Sequence, residues 1–369
     1  MFIPLYSFLF WLFTPKKELH TLIIDKTVSV PTYQEHRSLD WVLNNKRFVI
    51  NNKTYTVNKD YFGIHPAKTF RTSKIDEFSK FTKAQTDSIL QYYDMAYVAD
   101  AYGVYVNDYN NQNDESEFSR VLYGGFSLKN FEILKTMKDM NKLVVMEFNT
   151  IAPPTSTKIR KITEKEFGIK WSGWTGRYFQ SLDTLKTDEI PRWMLRNYRH
   201  VHKKDWNFSN AGIVLVSNWG DIFVLEDGKE LTFQDPMIVS YKNNEYHLPV
   251  NIHYPFWFDI TYPKNENKVL SYYHLKTTEL GDSLLYSRKL ANVFPAVIYS
   301  PNKKFYYFCG DFSDNTPSLL ASYFKGFAPL RRFFNFTANP GERLSFFYKY
   351  YDVIVSKILN DYYDENVKK

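Results

Sequence analysis

Cysteine is almost absent from this 369-residue chain, with Cys309 as the single example. One thiol excludes an internal disulfide framework and any cysteine-based zinc site. It leaves the compartment open, because exported proteins can also lack disulfides. Glycine is scarce too, at 14 residues against 31 Phe and 29 Tyr. The chain shows no internal repeat and no low-complexity linker. It also lacks a basic stripe with interleaved aromatics. The net charge of +7 comes from scattered Lys and Arg, so nucleic acid is not an expected partner. The nearest thing to a metal motif is His200-Val201-His202, and the cations around it disfavour a further one. Neither a metal nor a cofactor is expected.

What is present points to a packed core. Hydrophobic residues make up 44% and charged residues 24%, and the length suits one large domain or two ordinary ones. Aromatics reach 18%. Tyr and Trp fit surfaces that are half apolar and half wet, sugar platforms and interfaces among them. A compositional bias towards Tyr, Phe, Asn and Lys explains the number equally well.

The most apolar run is Phe2 to Phe13, followed by Pro15, Lys16 and Lys17. Twelve helical residues cover ~18 Å, short of a ~30 Å hydrocarbon layer. The run has no basic start and no small-residue cleavage site, so it does not read as a secretion signal. Three readings stay open: the end of a longer transmembrane anchor, an interfacial anchor, or an element packed on the domain. Membrane attachment through Phe2-Phe13 is the favoured expectation, with the side of the membrane open.

From Thr21 to Gly168 short apolar runs alternate with helical patterns. His20 to Thr27 reads as a strand ending in Asp25 and Lys26. Thr32 and Glu35 match a capping box, which places His36 and Arg37 in the first helical turn. Thr54 to Tyr61 alternates like a second strand, and Asp87 to Gln91 ends a helix. Tyr92 to Gly103 reads as a third strand, ending in Asp100 and Tyr102. Asn107 to Ser119 is a polar loop, and Ser127 caps the helix that follows it. Leu143 to Phe148 is the fourth strand. It breaks off at Glu147, Asn149 and the pair Pro153-Pro154, and Ser156 caps the next helix. Such alternation implies a largely parallel sheet with helices on both faces.

Beyond Gly168 the chain turns aromatic. Trp171, Trp174, Arg177 and Tyr178 fall within nine residues and suit either a stacking platform for a planar ligand or a rigid surface loop. Arg192 to Lys204 reads as a solvated basic stretch. Strand hairpins are expected over 212–225 and over 294–309, with Cys309 as a core thiol. The last 50 residues pattern as helix, and 361–369 as a frayed tail.

Ligands of open α/β sheets bind outside the carboxyl ends of the strands. Three strands deliver Asp25 and Lys26, Asp100 and Tyr102, and Glu147 and Asn149 to that edge. Glu147, Asp100 and Asp25 are therefore the candidate catalytic carboxyls. The candidate ligand contacts are Lys26, His36, Tyr102, Asn149, Trp171, Trp174, Arg177 and Tyr178. The bland alternative is that these groups satisfy loop amides and helix N-termini.

The segments Asp94 to Tyr102, Leu143 to Asn149, Ile159 to Trp174, Val269 to Tyr272, Phe294 to Val297 and Phe305 to Phe312 together resemble the class I glutamine-amidotransferase-like fold. The variant they resemble most is the trimerisation domain of some bacterial β-galactosidases and related membrane-associated proteins. The resemblance implies a flavodoxin-like α/β domain over 18–315, with a β-rich aromatic insertion at about 175–265. An apolar segment over 1–17 precedes it and a helical extension over 316–369 follows. The active enzymes of that class carry a Gly-x-Cys-x-Gly elbow after the strand matching Leu143 to Phe148. This chain has Glu147-Phe148-Asn149 there, and a Gly-x-Ser-x-Gly elbow is missing as well. Glutamine hydrolysis through a thiolate is therefore excluded. The leading expectation is a non-catalytic or degenerate module of the bacterial cell envelope that binds a carbohydrate or other polar ligand at the strand edge. The alternative is a glycan- or envelope-directed hydrolase or transferase using Glu147 with Asp100 or Asp25. Homo-oligomerisation stays open.

Overall fold

The computed structural model describes residues 3–109, 119–334 and 342–368. Phe2, Lys369 and most of the expected 107–119 loop lie outside the described residues. Helix α1 (Ile3–Phe13) opens the chain, and the fully buried strand β1 (Thr21–Asp25) leads into α2 (Gln34–Asn45). Then come β2 (Phe62–His65), the short edge strand β3 (Lys74–Ile75), α3 (Lys83–Tyr92) and β4 (Met95–Asp100). Helix α4 (Leu128–Asp139), β5 (Leu143–Glu147) and α5 (Thr157–Phe167) complete the alternating half. Ser127 and Ser156 cap α4 and α5 as expected.

Two local expectations need correction. Thr32 does not cap α2: the N-cap is Tyr33, held in the left-handed region at φ 52° without a side-chain bond. Residues 56–61 form a turn rather than a strand. The Thr56 amide donates to the Asp60 carboxylate at 2.6 Å, and the Thr56 carbonyl accepts from Lys59 and Asp60. That local Asp–backbone bond competes with sheet pairing.

The second half supplies β6 (Ile169–Phe179), α6 (Arg192–His202), β7 (Gly212–Ser217) and β8 (Ile222–Glu226). It continues through β9 (Met237–Ser240), β10 (Asn251–His253), β11 (Phe258–Pro263) and β12 (Lys268–His274). Helix α7 (Glu279–Ser287) and the hairpin β13 (Val293–Tyr299) and β14 (Phe305–Phe308) follow. After α8 (Phe327–Phe334), a helical run from Arg343 to Val367 contains α9 (Asp352–Tyr362). The tail is not frayed through its described residues: the helix continues past Asp361, which pairs with Lys357 at 2.7 Å.

Ten strands form one mixed sheet in the order β10-β9-β12-β13-β14-β5-β4-β1-β2-β3. The five from β14 to β2 are parallel and the remaining pairs antiparallel. The expected largely parallel sheet is thus parallel only in its middle. Helical crossovers between parallel neighbours, which such pairing requires, stop after β5; the later strands pair antiparallel with their sequence neighbours or arrive from the second sheet, even where α6 or α7 intervenes. A second, antiparallel sheet runs β8-β7-β6-β11. Trp171 to Phe179 belongs to its long strand β6 and is not a loop. A β-bulge between Trp171 and Thr175 hides the alternation. Gly173 sits in that bulge at φ 91°, with the Trp219 ring where a side chain would go. The stretch 175–265 is split, since β9 and β10 join the main sheet.

The chain leaves β1 for β2 in one direction, then doubles back past β1 to β4 and on to β5. Right-handed crossovers in opposite directions put α2 on one face and α3 and α4 on the other. On the α2 side the helical run adds Phe346, Phe347, Tyr350, Ile354 and Ile358, all buried, against the sheet and Trp41.

Candidate functional site

The reversal of strand order falls between β1 and β4, whose last residues Asp25 and Asp100 are register partners. This is where an open sheet leaves a crevice. The Asp25 carboxylate accepts from the Thr27 amide at 2.9 Å and from His36 Nδ1 at 2.6 Å. His36 Nε2 lies 2.7 Å from the Val57 carbonyl, so both ring nitrogens face acceptors. Burial opposes charge on this imidazole, but the Asp25 hydrogen bond and charge prevail and raise it to about 9. Asp100 accepts from the Tyr102 amide at 2.5 Å and from Asn149 at 3.5 Å. Burial first, with help from Asp25, lifts Asp100 to about 7 against the Tyr102 hydrogen bond. Glu35 joins this rim instead of capping α2: burial, then the Asp25 charge, raise it to about 9.

Glu147 takes a different direction. Its side chain is fully buried and accepts from the Tyr97 hydroxyl and, at 2.9 Å, from the Ser313 amide. Tyr97 in turn bonds Tyr351 of the C-terminal helical run at 2.9 Å. Burial pushes Glu147 up to about 8 against the Tyr97 and Ser313 hydrogen bonds. It is a core carboxyl closed off from solvent.

Beside the Asp100 end of the rim opens a cleft of about 590 Å³. Its floor carries Tyr102, Phe148 and Asn149 from the ends of β4 and β5. One wall is Trp171 and Thr175 of β6 with Val216 of β7, another is Trp193 and Asn197 of α6, and Trp257 and Asp311 close it. Asn149 stands at φ 68°, a left-handed corner after the strand with an amide where a nucleophile elbow carries Ser or Cys. Asp311 follows β14. Its carboxyl hydrogen-bonds Asp314, which pairs with Arg343 at 2.8 Å. Burial, then Asp314 and Asp100, raise Asp311 well above the usual carboxylate range, with Arg343 opposing.

Of the expected ligand contacts, Tyr102, Asn149 and Trp171 meet in this cleft. The others do not line it. Lys26 is buried against Glu77 at 2.9 Å and the Gly125 carbonyl. His36 is committed to Asp25. Trp174 packs edge-on to Trp219 and Phe223. Arg177 pairs with Glu189, and the Tyr178 hydroxyl donates to Asp227 at 2.7 Å. Trp193, Asn197, Trp257 and Asp311 escaped the sequence reading. Asp311 was within reach of it: it follows a fifth strand in parallel register with β5, and the carboxyl-edge rule applied to that strand would have picked it out.

The fold defines a mixed α/β protein with a large mixed sheet and an aromatic cleft at its carboxyl edge. No protein-family profile matches the sequence, and neither does any curated protein. Among solved structures it has a distant likeness to a ThuA-like protein from Bacteroides uniformis. The TM-score is 0.37 at 11% identity, over 84% of this chain and 91% of that one.

Proposed function

We propose that the protein is a non-catalytic, amidotransferase-like module of the bacterial cell envelope that binds a carbohydrate in the cleft. The flavodoxin-like variant of the fold is part of this proposal. It rests on the five parallel strands and on the strand-order reversal between Asp25 and Asp100.

The observation that carries the reading is the lining of the cleft. Trp171, Trp193 and Trp257 offer apolar faces, while Asn149, Asn197 and Asp311 offer hydrogen bonds. Sugars present CH faces and hydroxyl edges, so they need both kinds of wall. The volume lies in the usual range for small-ligand sites. The absence of catalysis is supported by the corner at Asn149 and by Cys309, which is fully buried and raised well above a reactive thiol's range by burial and Asp259. Nothing favours the hydrolase alternative at Glu147, because water has no access to that carboxyl.

A glycan array followed by calorimetry tests this. Trp257→Ala and Trp193→Ala should each weaken the best glycan at least tenfold, with folding preserved. If no glycan binds, or if both variants bind like the parent, the proposal is wrong.

A further inference from the structure

Helix α1 has no charged residue, and its two sides meet different surroundings. On the inner side Trp11 is buried, donates to the Asn44 carbonyl at 2.9 Å and lies under the Arg47 guanidinium. Arg47 also donates to the Leu12 and Thr14 carbonyls, which fixes the end of the helix. On the outer side Leu5, Tyr6, Phe10 and Phe13 are 52–79% exposed. A helix that is apolar all round needs an apolar environment all round.

Helix α8 repeats the pattern by separate means. It starts next to the middle of α1, where Ser7 and Lys325 exchange two hydrogen bonds at 2.6 and 3.1 Å. Its polarity is inverted relative to an ordinary surface helix. Arg332 turns inward to Asp352 and the Tyr348 carbonyl, and Arg331 lies over the Tyr348 ring. Leu330, Phe333 and Phe334 turn outward, at 52%, 69% and 65% exposure. Single exposed apolar side chains are common. Seven large ones on two helices whose chains meet at Ser7 and Lys325 are more than isolated exposure, and such groupings mark interaction surfaces.

The charges beside the patch identify what covers it. Lys16 follows α1 and Lys325 precedes α8, and both are exposed. Lys46 and Lys17 add positive charge near Lys325, with Lys46 offset in part by Asp352 at 3.5 Å. Docking this face against a second copy about a two-fold axis would bring two such clusters together. Phosphate headgroups would neutralise them. We propose that α1 and α8 form one lipid-docking face that lays the protein on an anionic bilayer. Among the described residues no helix is long and apolar enough to cross a membrane, and the proposed face is of the kind that lies in the interface. This inference does not depend on the cleft.

Co-sedimentation of the full chain with vesicles tests it. At about 0.1 M salt the parent should pellet with phosphatidylcholine–phosphatidylglycerol vesicles of roughly 3:1 composition, and at least fivefold less with pure phosphatidylcholine. The double variants Phe10→Ser/Phe13→Ser and Phe333→Ser/Phe334→Ser should each cut the bound fraction about tenfold, with unfolding midpoints within ~2 °C of the parent. The α8 variant keeps the test sound should the α1 variant fold poorly. The proposal is overturned if the parent stays in the supernatant with both vesicles, or if the α8 variant binds as well as the parent. It is also overturned if light scattering shows a dimer that the α8 variant disperses while the parent ignores vesicles; the face would then belong to a second copy.

Discussion

Glu147 ends β5, and Asp311 follows β14, the parallel neighbour that runs in register with it up to Glu147 and Phe308. Burial raises the proton affinity of both carboxyls. Their surroundings set them apart. Glu147 points under the C-terminal helical run and spends both oxygens on Tyr97 and Ser313. Asp311 stands beyond the last paired residue of its strand and reaches the cleft. Proximity to the carboxyl edge is therefore a poor guide by itself. What covers each face of the sheet decides whether an acidic tip becomes core or site.

The sharpest way to break this contrast is to remove Glu147. Glu147→Ala leaves the Ser313 amide without its acceptor and the Tyr97 hydroxyl with Tyr351 alone, and opens a void, so it should cost about 3–5 kcal/mol in denaturant unfolding. Glycan affinity of the folded fraction should not change. A mild cost combined with lost binding would reverse the assignments of Glu147 and Asp311.

The second test uses pH. His36 at about 9, Glu147 at about 8 and Asp259 at about 7 all hold their protons more tightly than their free counterparts at 6.5, 4.5 and 3.8. Stability from such groups is complete below the unfolded values and is lost as pH rises through the folded ones. Every tenfold gain in proton affinity on folding is worth roughly 1.4 kcal/mol. The unfolding midpoint at pH 5 should therefore exceed that at pH 9 by at least about 5 °C at constant ionic strength. A midpoint that rises with pH would show that these carboxyls are ionised and paired in the folded state.

The smallest expected effects sharpen the contrast from the cleft side. Asp311→Asn should move the midpoint by less than ~2 °C yet weaken the glycan about tenfold. Arg177→Ala breaks a half-exposed pair outside the cleft and should cost less than ~1 kcal/mol with binding unchanged. Calorimetry on both variants distinguishes a cleft centred on Asp311 from one that includes the outer side of β6.

The register of the acidic tips was readable because each follows an uninterrupted apolar run, and such runs mark buried parallel strands. Asp25 and Asp100 do meet at the strand-order reversal. Sequence alone could not show which face a tip would take. Lys26 and Asp25 are neighbours in sequence, yet one binds Glu77 and the other His36. The strand at Trp171 was hidden because Ser172 and Gly173 interrupt its period at a bulge. The outward face of α8 was illegible for a different reason. Leu330, Phe333 and Phe334 have the spacing of a core stripe, and only the inward pairing of Arg332 with Asp352 shows that the stripe is reversed.

The pairing of β14 with β5 also governs how the molecule can be made. Val144 finds one neighbour in Ala96, already synthesised, and the other in Phe305, 161 residues later. At ordinary translation speeds of about 5–20 residues per second, that is a wait of roughly 8–30 s. During this interval one flank of β5 is an unpaired edge leaving the ribosome, and Glu147 lacks the amide of Ser313. The first half is thus made with an open flank, and only the late segment around Phe305 closes it.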